Sequence, residues 1–300
     1  MTTIQGSAAA GVPDWYDLVE PAVAICTLGE FRVLRQGEPV PAGEWQSKKA
    51  RDVLKMLVAR RGRPAPREQL MEALWPEEDP ARSTKRLSVL LTTVRAILDP
   101  ARRHDPDYYV VGDNYAVALN LAHVAVDVEA FLATATAGLS LLRTGRTSEA
   151  LERLDQADQL YRGEFCEEDA YEDWATDLRE EARAVAIACL RSRAEYAGLE
   201  GDADLAVRCY LWLLAKDRYD EPAHLGLVQI LAAAGRHGEA RRRYDCYAAA
   251  MDDLGLRHAP FPGLAPSERR RDQGLAPSES ERQRRRDQGL TTQVPALAAC

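Results

Sequence analysis

Between Ser47 and Leu119 the spacing of hydrophobic positions changes twice, and each change predicts an element. Ala50, Val53, Leu54 and Leu57 fall at i, i+3, i+4, i+7, the stripe of an amphipathic helix, with Ser47 placed to cap it and Gly62 to end it after Arg61. Pro66 opens a second, short helix carrying Leu70, Ala73 and Leu74, and Pro76 stops it. Asp79-Pro80 reads as a cap followed by proline at the first helical position, which suits proline because its missing N–H is unpaired there anyway. The third helix then runs to Leu98 on a buried stripe of Leu87, Leu91, Val94 and Leu98, flanked by Leu90 and Ile97, and closes at Asp99-Pro100. After it the period drops to two: Tyr108 to Val111 and Tyr115 to Leu119 alternate around Gly112-Asp113-Asn114, the pattern of a hairpin. Upstream, Ala24–Leu28 and Phe31–Arg35 read as short strands broken by Gly29, with a turn at Gln36-Gly37-Glu38 and a third short strand from Val40. A small sheet, three helices and a hairpin in this order predict a winged helix, a fold that lays one helix in the major groove of DNA.

From Asp127 onward the pattern is helical throughout, in segments near 127–143, 146–162, 172–198, 202–216, 220–234 and 237–254. Gly201, Ala206 and Tyr210 recur 34 residues later as Gly235, Ala240 and Tyr244, and Gly145, Ala150 and Leu154 repeat the same internal spacing. A period of that length with small residues at fixed offsets is the mark of stacked helix pairs of the tetratricopeptide type. The expected fold class is therefore mainly α with a small β component: a winged helix-turn-helix at 22–120 and an all-α tetratricopeptide-like solenoid at 121–259. The boundary near Ala122 is expected to leave the first domain able to fold alone. Residues 1–21 read as a disordered lead, without the charged and apolar regions of a signal peptide. Residues 260–300 read as a disordered Arg-rich tail, in which Gly-Leu-Ala-Pro-Ser-Glu leads twice to Arg-Arg-Arg-Asp-Gln.

Charge divides along the same line. The chain carries a net −8, but residues 22–120 hold 16 basic and 13 acidic side chains, net +3, whereas residues 121–259 hold 16 and 26, net −10. Only the first domain can approach phosphate at low electrostatic cost; the second is suited to meeting protein. No apolar run is long enough to span a membrane, so no membrane partner is expected. The six cysteines form no C-x-x-C pair; Cys189, Cys209 and Cys246 fall inside helical patterns as small hydrophobes, and a reducing cytoplasm is expected. No phosphate-cradling loop, nucleophile elbow or metal-spaced histidine pair occurs, so no catalytic residue, metal or cofactor is expected.

The candidate chemistry lies on the third helix. Opposite its apolar stripe it carries Arg82, Lys85, Ser88, Thr92 and Arg95, with Arg86 and Thr93 at the margins. Such a face is usually only solvated, but here a wing with Asn114 at its turn is expected beside it, and the pair together point to double-stranded DNA. Glu77-Glu78-Asp79, an acidic loop before that helix, is a candidate contact for RNA polymerase, against the plainer reading of a helix-capping loop. A different class of function stays open: a tetratricopeptide adaptor whose winged helix is only a protein interface.

The chain also resembles a known family. Leu28-Gly29-x-Phe31-x-Val33, Lys49-Ala50-Arg51-x-x-Leu54, Arg67-Glu68-x-Leu70-x-x-x-Leu74-Trp75-Pro76 and the helix ending Val94-Arg95-x-x-Leu98 resemble the OmpR-type winged helix of the Streptomyces antibiotic regulatory proteins. Tyr161-Arg162-Gly163-Glu164-Phe165 followed by Trp174 resembles the opening of that family's bacterial transcriptional activator domain. The resemblance implies an activator that binds direct repeats near a promoter, with a second copy on DNA, and contacts RNA polymerase. It implies DNA-facing roles for Arg86, Thr92, Thr93 and Arg95 and for wing residues near Asn114, although many relatives carry Arg or Lys where this chain has Thr92 and Thr93.

Overall fold

The computed structural model describes residues 22–45 and 47–262. The expected lead at 1–21 and the duplicated Arg-rich repeats of the tail lie outside the described residues. The chain divides into two compact units, one up to Leu213 and the other from Leu214.

In the first unit, β1 (Val23–Cys26) pairs antiparallel with β2 (Arg32–Arg35), and β2 with β3 (Glu38–Pro39). Three helices follow: α1 (Lys48–Ala59), α2 (Arg67–Leu74) and α3 (Pro80–Leu98). The predicted stripe of α1, Ala50, Val53, Leu54 and Leu57, is fully buried, and α1 packs on α3. A second sheet, ordered β4-β6-β5, joins β4 (Ala65–Pro66), β5 (Val110–Gly112) and β6 (Ala116–Leu119) into the wing. Tyr108 and Tyr109 belong to the preceding turn rather than to the strand, and the tight turn itself is Asp113–Tyr115.

Two strands escaped the sequence pattern, β4 and one that changes how the fold is divided. β7 (Val124–Val126), buried at all three positions, lies parallel to β1 and completes the order β3-β2-β1-β7. It leads directly into α4 (Asp127–Arg143), which packs against α5 (Thr147–Leu160) and α6 (Asp173–Glu200). Asp127, the first residue of α4, is buried and accepts hydrogen bonds from the Thr27 amide at 2.7 Å, the Thr27 hydroxyl at 2.6 Å and the Leu28 amide at 2.9 Å. Burial pushes its carboxyl above the ordinary aspartate range against the pull of those donors. Leu28 also bridges to Phe165, and the Gly29 amide donates to the Glu164 carbonyl at 2.9 Å. A Cβ on Gly163 would lie 2.8 Å from the Cα of Gly29, so the two segments pass this closely because residue 163 lacks one, while Gly29 is required by its φ of +90°.

The position near 121 therefore lies inside a continuous core that runs from β1 and α1 through Phe131, Phe165 and Ala182. Ion pairs cross the same seam. Lys55 on α1, with 2% of its side chain exposed, bonds Asp169 at 2.5 Å and also Glu168. Arg61 forks onto Glu129 at 2.6 and 2.9 Å and reaches Glu181 at 2.8 Å.

The repeat glycines explain their own spacing. Gly145, Gly201 and Gly235 all take the left-handed conformation just past a helix, where a side chain is strained. The small residue five positions later, Ala150, Ala206 or Ala240, is fully buried. α7 (Ala203–Lys216) carries the second of these alanines. In the second unit, α8 (Glu221–Ala233) and α9 (His237–Asp253) form a packed pair, with Asp220 capping α8 at 2.9 Å through the Ala223 amide. Cys189 and Cys209 are buried as expected, and burial pushes the Cys189 thiol up to about 12; Cys246, expected to pack likewise, is exposed on α9.

Candidate nucleic-acid interface

α3 exists where it does because Asp79 and Pro80 start it. The Asp79 carboxylate accepts from the amides of Ala81 and Arg82, both at 3.1 Å, two of the donors a helix start leaves unpaired. Ser83, Leu87, Leu90, Leu91, Val94, Ile97 and Leu98 face inward. The opposite ridge, Lys85, Ser88, Val89, Thr92 and Ala96, is exposed.

The expected site residues separate into two groups. Lys85, Ser88 and Thr92 lie on the outer ridge. Arg82, Arg86 and Arg95 are held by carboxylates. Arg86 bonds both oxygens of Glu78 at 2.7–2.8 Å and lies 4.6 Å over the ring of Trp75, whose neighbourhood also holds Lys49. Arg82 reaches the same Glu78 at 3.1 Å. Arg95, half-buried, bonds Asp107 at 3.1 Å and the Val110 carbonyl at 2.9 Å, which ties the end of α3 to the first strand of the wing. Thr93 is only part-exposed at the margin, as expected. The acidic loop is largely occupied as well: Asp79 caps α3, and Glu78, 16% exposed, serves two arginines. Glu77 stands exposed.

The hydroxyls of α3 turn back on their own helix. Thr84 donates to the Pro80 carbonyl at 2.7 Å, Ser88 to Thr84 at 2.9 Å, Thr92 to Ser88 at 2.9 Å and Thr93 to Val89 at 3.1 Å. Each donor is thereby spent four residues upstream.

Sequence reasoning missed Arg67. Its guanidinium donates to the Ser88 hydroxyl at 3.0 Å and to the Asp113 carbonyl at 3.4 Å, so it sits where α2, the outer ridge of α3 and the wing turn converge. Among the described residues it pairs with no carboxylate, and neither does Lys85. The signal was in the sequence, as a basic residue opening α2, but only the hairpin's return to β4 reveals what it faces. Asn114 and Tyr115 form the exposed tip of the wing, with Tyr115 83% exposed. Asp113 anchors the tip by accepting from the amides of Tyr115 at 2.7 Å and Ala116 at 2.9 Å, and those bonds hold its carboxyl below the ordinary range. Among the described residues no group of histidine, cysteine, aspartate and glutamate could hold a metal, and no helix is long and apolar enough to cross a membrane.

A helix-turn-helix with a wing, followed by paired helices, defines a two-part transcriptional regulator. Residues 45–111 match the family model described as transcriptional regulatory protein, C terminal, and residues 126–262 match the bacterial transcriptional activator domain. With both matches in this order, the chain has the two-domain arrangement of the Streptomyces antibiotic regulatory protein family and is similar to its transcriptional regulators. It is similar to the transcriptional regulatory protein EmbR of Mycobacterium tuberculosis, 29% identical over 254 residues, covering 81% of this chain and 62% of EmbR. It is 27% identical over 245 residues to the regulatory protein AfsR of Streptomyces coelicolor, covering 81% of this chain and 23% of AfsR. The chain thus spans less than two thirds of the length of these relatives. The structure of Mycobacterium tuberculosis EmbR in complex with a low-affinity phosphopeptide has the same fold, with a TM-score of 0.68 at 24% identity over 85% of this chain and 67% of that one.

Proposed function

We propose that this protein is a pathway-specific transcriptional activator that binds direct repeats at promoters of secondary metabolism and recruits RNA polymerase. α3 enters the major groove by its outer ridge, the wing rests on phosphate or in the minor groove, and a second copy occupies the neighbouring repeat. The reading is carried by one observation: Lys85 and Arg67, the cations of this surface without a carboxylate partner among the described residues, flank the exposed ridge of α3 beside the wing. Cations whose charge no neighbouring carboxylate neutralises are what phosphate contact requires. Glu77, exposed next to that surface while Glu78 and Asp79 are engaged, is the residue of the acidic loop left to meet polymerase. The protein works in the cytoplasm, at the nucleoid.

The experiment is a salt series of duplex affinity for the full chain, with promoter DNA from its own genomic neighbourhood, alongside transcription in vitro on the same template. Expected are affinity that falls linearly in log–log form as salt rises, with a slope of about −0.9 for each phosphate neutralised, and added transcript only when polymerase and the intact chain are both present. Absence of duplex binding at low salt would return the winged helix to the role of a protein interface.

A further inference from the structure

The outer ridge of α3 carries apolar groups that the fold does not use. Val89 is 64% exposed in the middle of the helix, and Thr92 and Ala96 follow it at i+3 and i+7, so the three form a seam on the face opposite the buried stripe. A seam of this period ordinarily faces a core; this one faces outward between Lys85 and the wing. Thr92 belongs to it because its hydroxyl hydrogen is spent on the Ser88 carbonyl at 2.9 Å, and Ser88 and Thr93 are engaged in the same way. The ridge that looks hydroxylic in sequence therefore has few free donors at its centre and several methyl groups.

Resting on the DNA-binding reading above, we propose that Val89 and Thr92 are specificity-determining residues that recognise thymine by its 5-methyl group. In the major groove each base pair shows a distinct edge, and thymine alone of the four bases adds a methyl, which apolar side chains read by contact. Lys85, one turn before Val89, supplies charge at the margin of the same ridge, and Arg67 bonded to Ser88 supplies it at the other. The centre of the helix is left to read shape and apolar surface.

The test begins with duplexes selected from a random-sequence library by the full-length protein. Each thymine of the enriched site is then replaced singly by deoxyuridine, which removes the methyl and leaves every hydrogen-bonding group in place. At one or two positions per half-site the replacement is expected to weaken binding about fourfold, the effect of one buried methyl. In V89A or T92S that loss should shrink at the corresponding position. T92V, which keeps the γ-methyl and replaces the hydroxyl with a second methyl, should bind at least as well as the parent. An enriched site without thymine, full tolerance of deoxyuridine, a penalty unchanged in both V89A and T92S, or a T92V as weak as T92S would each overturn the proposal while leaving DNA binding intact. Failure of the library to enrich any duplex would remove the DNA-binding reading and this one together.

Discussion

Lys55 is charged, and nearly all of it is out of water. Burial alone would lower its pKa, but the hydrogen bonds of Asp169 and Glu168 outweigh that and hold it above the ordinary lysine range. A raised lysine stabilises the fold below the unfolded value of about 10.4 and loses that contribution as pH climbs through the folded one. Lys55→Met strands the buried Asp169 and should cost about 3–5 kcal/mol in urea denaturation, whereas Lys55→Met with Asp169→Leu should recover much of it. The arginines of the interface make a second residue-scale prediction. Arg67→Ala should reduce the salt slope of duplex binding by ~0.9, and Arg86→Ala should change it far less, because Glu78 already neutralises Arg86. Sequence placed both arginines only by type. Which of two exposed cations has a carboxylate within reach depends on the turn that brings Glu78 back over α3, and periodicity does not encode that.

At the level of elements, the helices were legible nearly to the residue. α3 runs as its stripe and its Asp79-Pro80 cap predict, since proline and aspartate act locally at helix starts, and α4 fills the helical segment predicted at 127–143. β4 and β7 were not, being two and three residues long, too short for a period of two to register. Their pairing is decided by distant partners: Pro66 with Ala116, and Val124 with Val23. The wing turn depends instead on one local carboxylate. Because the folded pKa of Asp113 is lowered, its bonds to Tyr115 and Ala116 are fully present above the ordinary carboxylate range and are lost as pH falls through the lowered value. Amide exchange at Ala116 should accelerate in Asp113→Ala at neutral pH. In Asp113→Asn, which retains an acceptor, it should stay slow and lose its acid dependence. Equal exchange in all three proteins would show that the hairpin holds without the side chain.

For the molecule as a whole, two signatures read from sequence as separate domains meet in one core. Leu28-Gly29 and Gly163-Glu164-Phe165 touch each other, and Asp127 takes three of its hydrogen bonds from Thr27 and Leu28. A fragment ending at Ala122 would lack β7, Asp127, Phe165 and the partners of Lys55 and Arg61. Contrary to the expectation from composition, it should show little cooperative melting by circular dichroism, while one extended to Leu213 should melt as a single unit. A sharp transition in the shorter fragment would mean that the winged helix holds its core alone. The close passage of Gly29 and Gly163 also bears on how such regulators can exchange parts. A crossover between relatives near residue 121 would join a β1–β2 turn from one parent to a Gly163 loop from another; a side chain brought to position 163 would meet the Gly29 backbone, and one brought to position 29 would have to adopt a φ of +90°. Hybrids cut there should emerge insoluble, whereas those that trade only the outer ridge of α3 and the wing tip should inherit a new operator on an undisturbed body. If the proposed DNA contacts hold, the transferable unit of DNA preference is a few surface positions and not a domain.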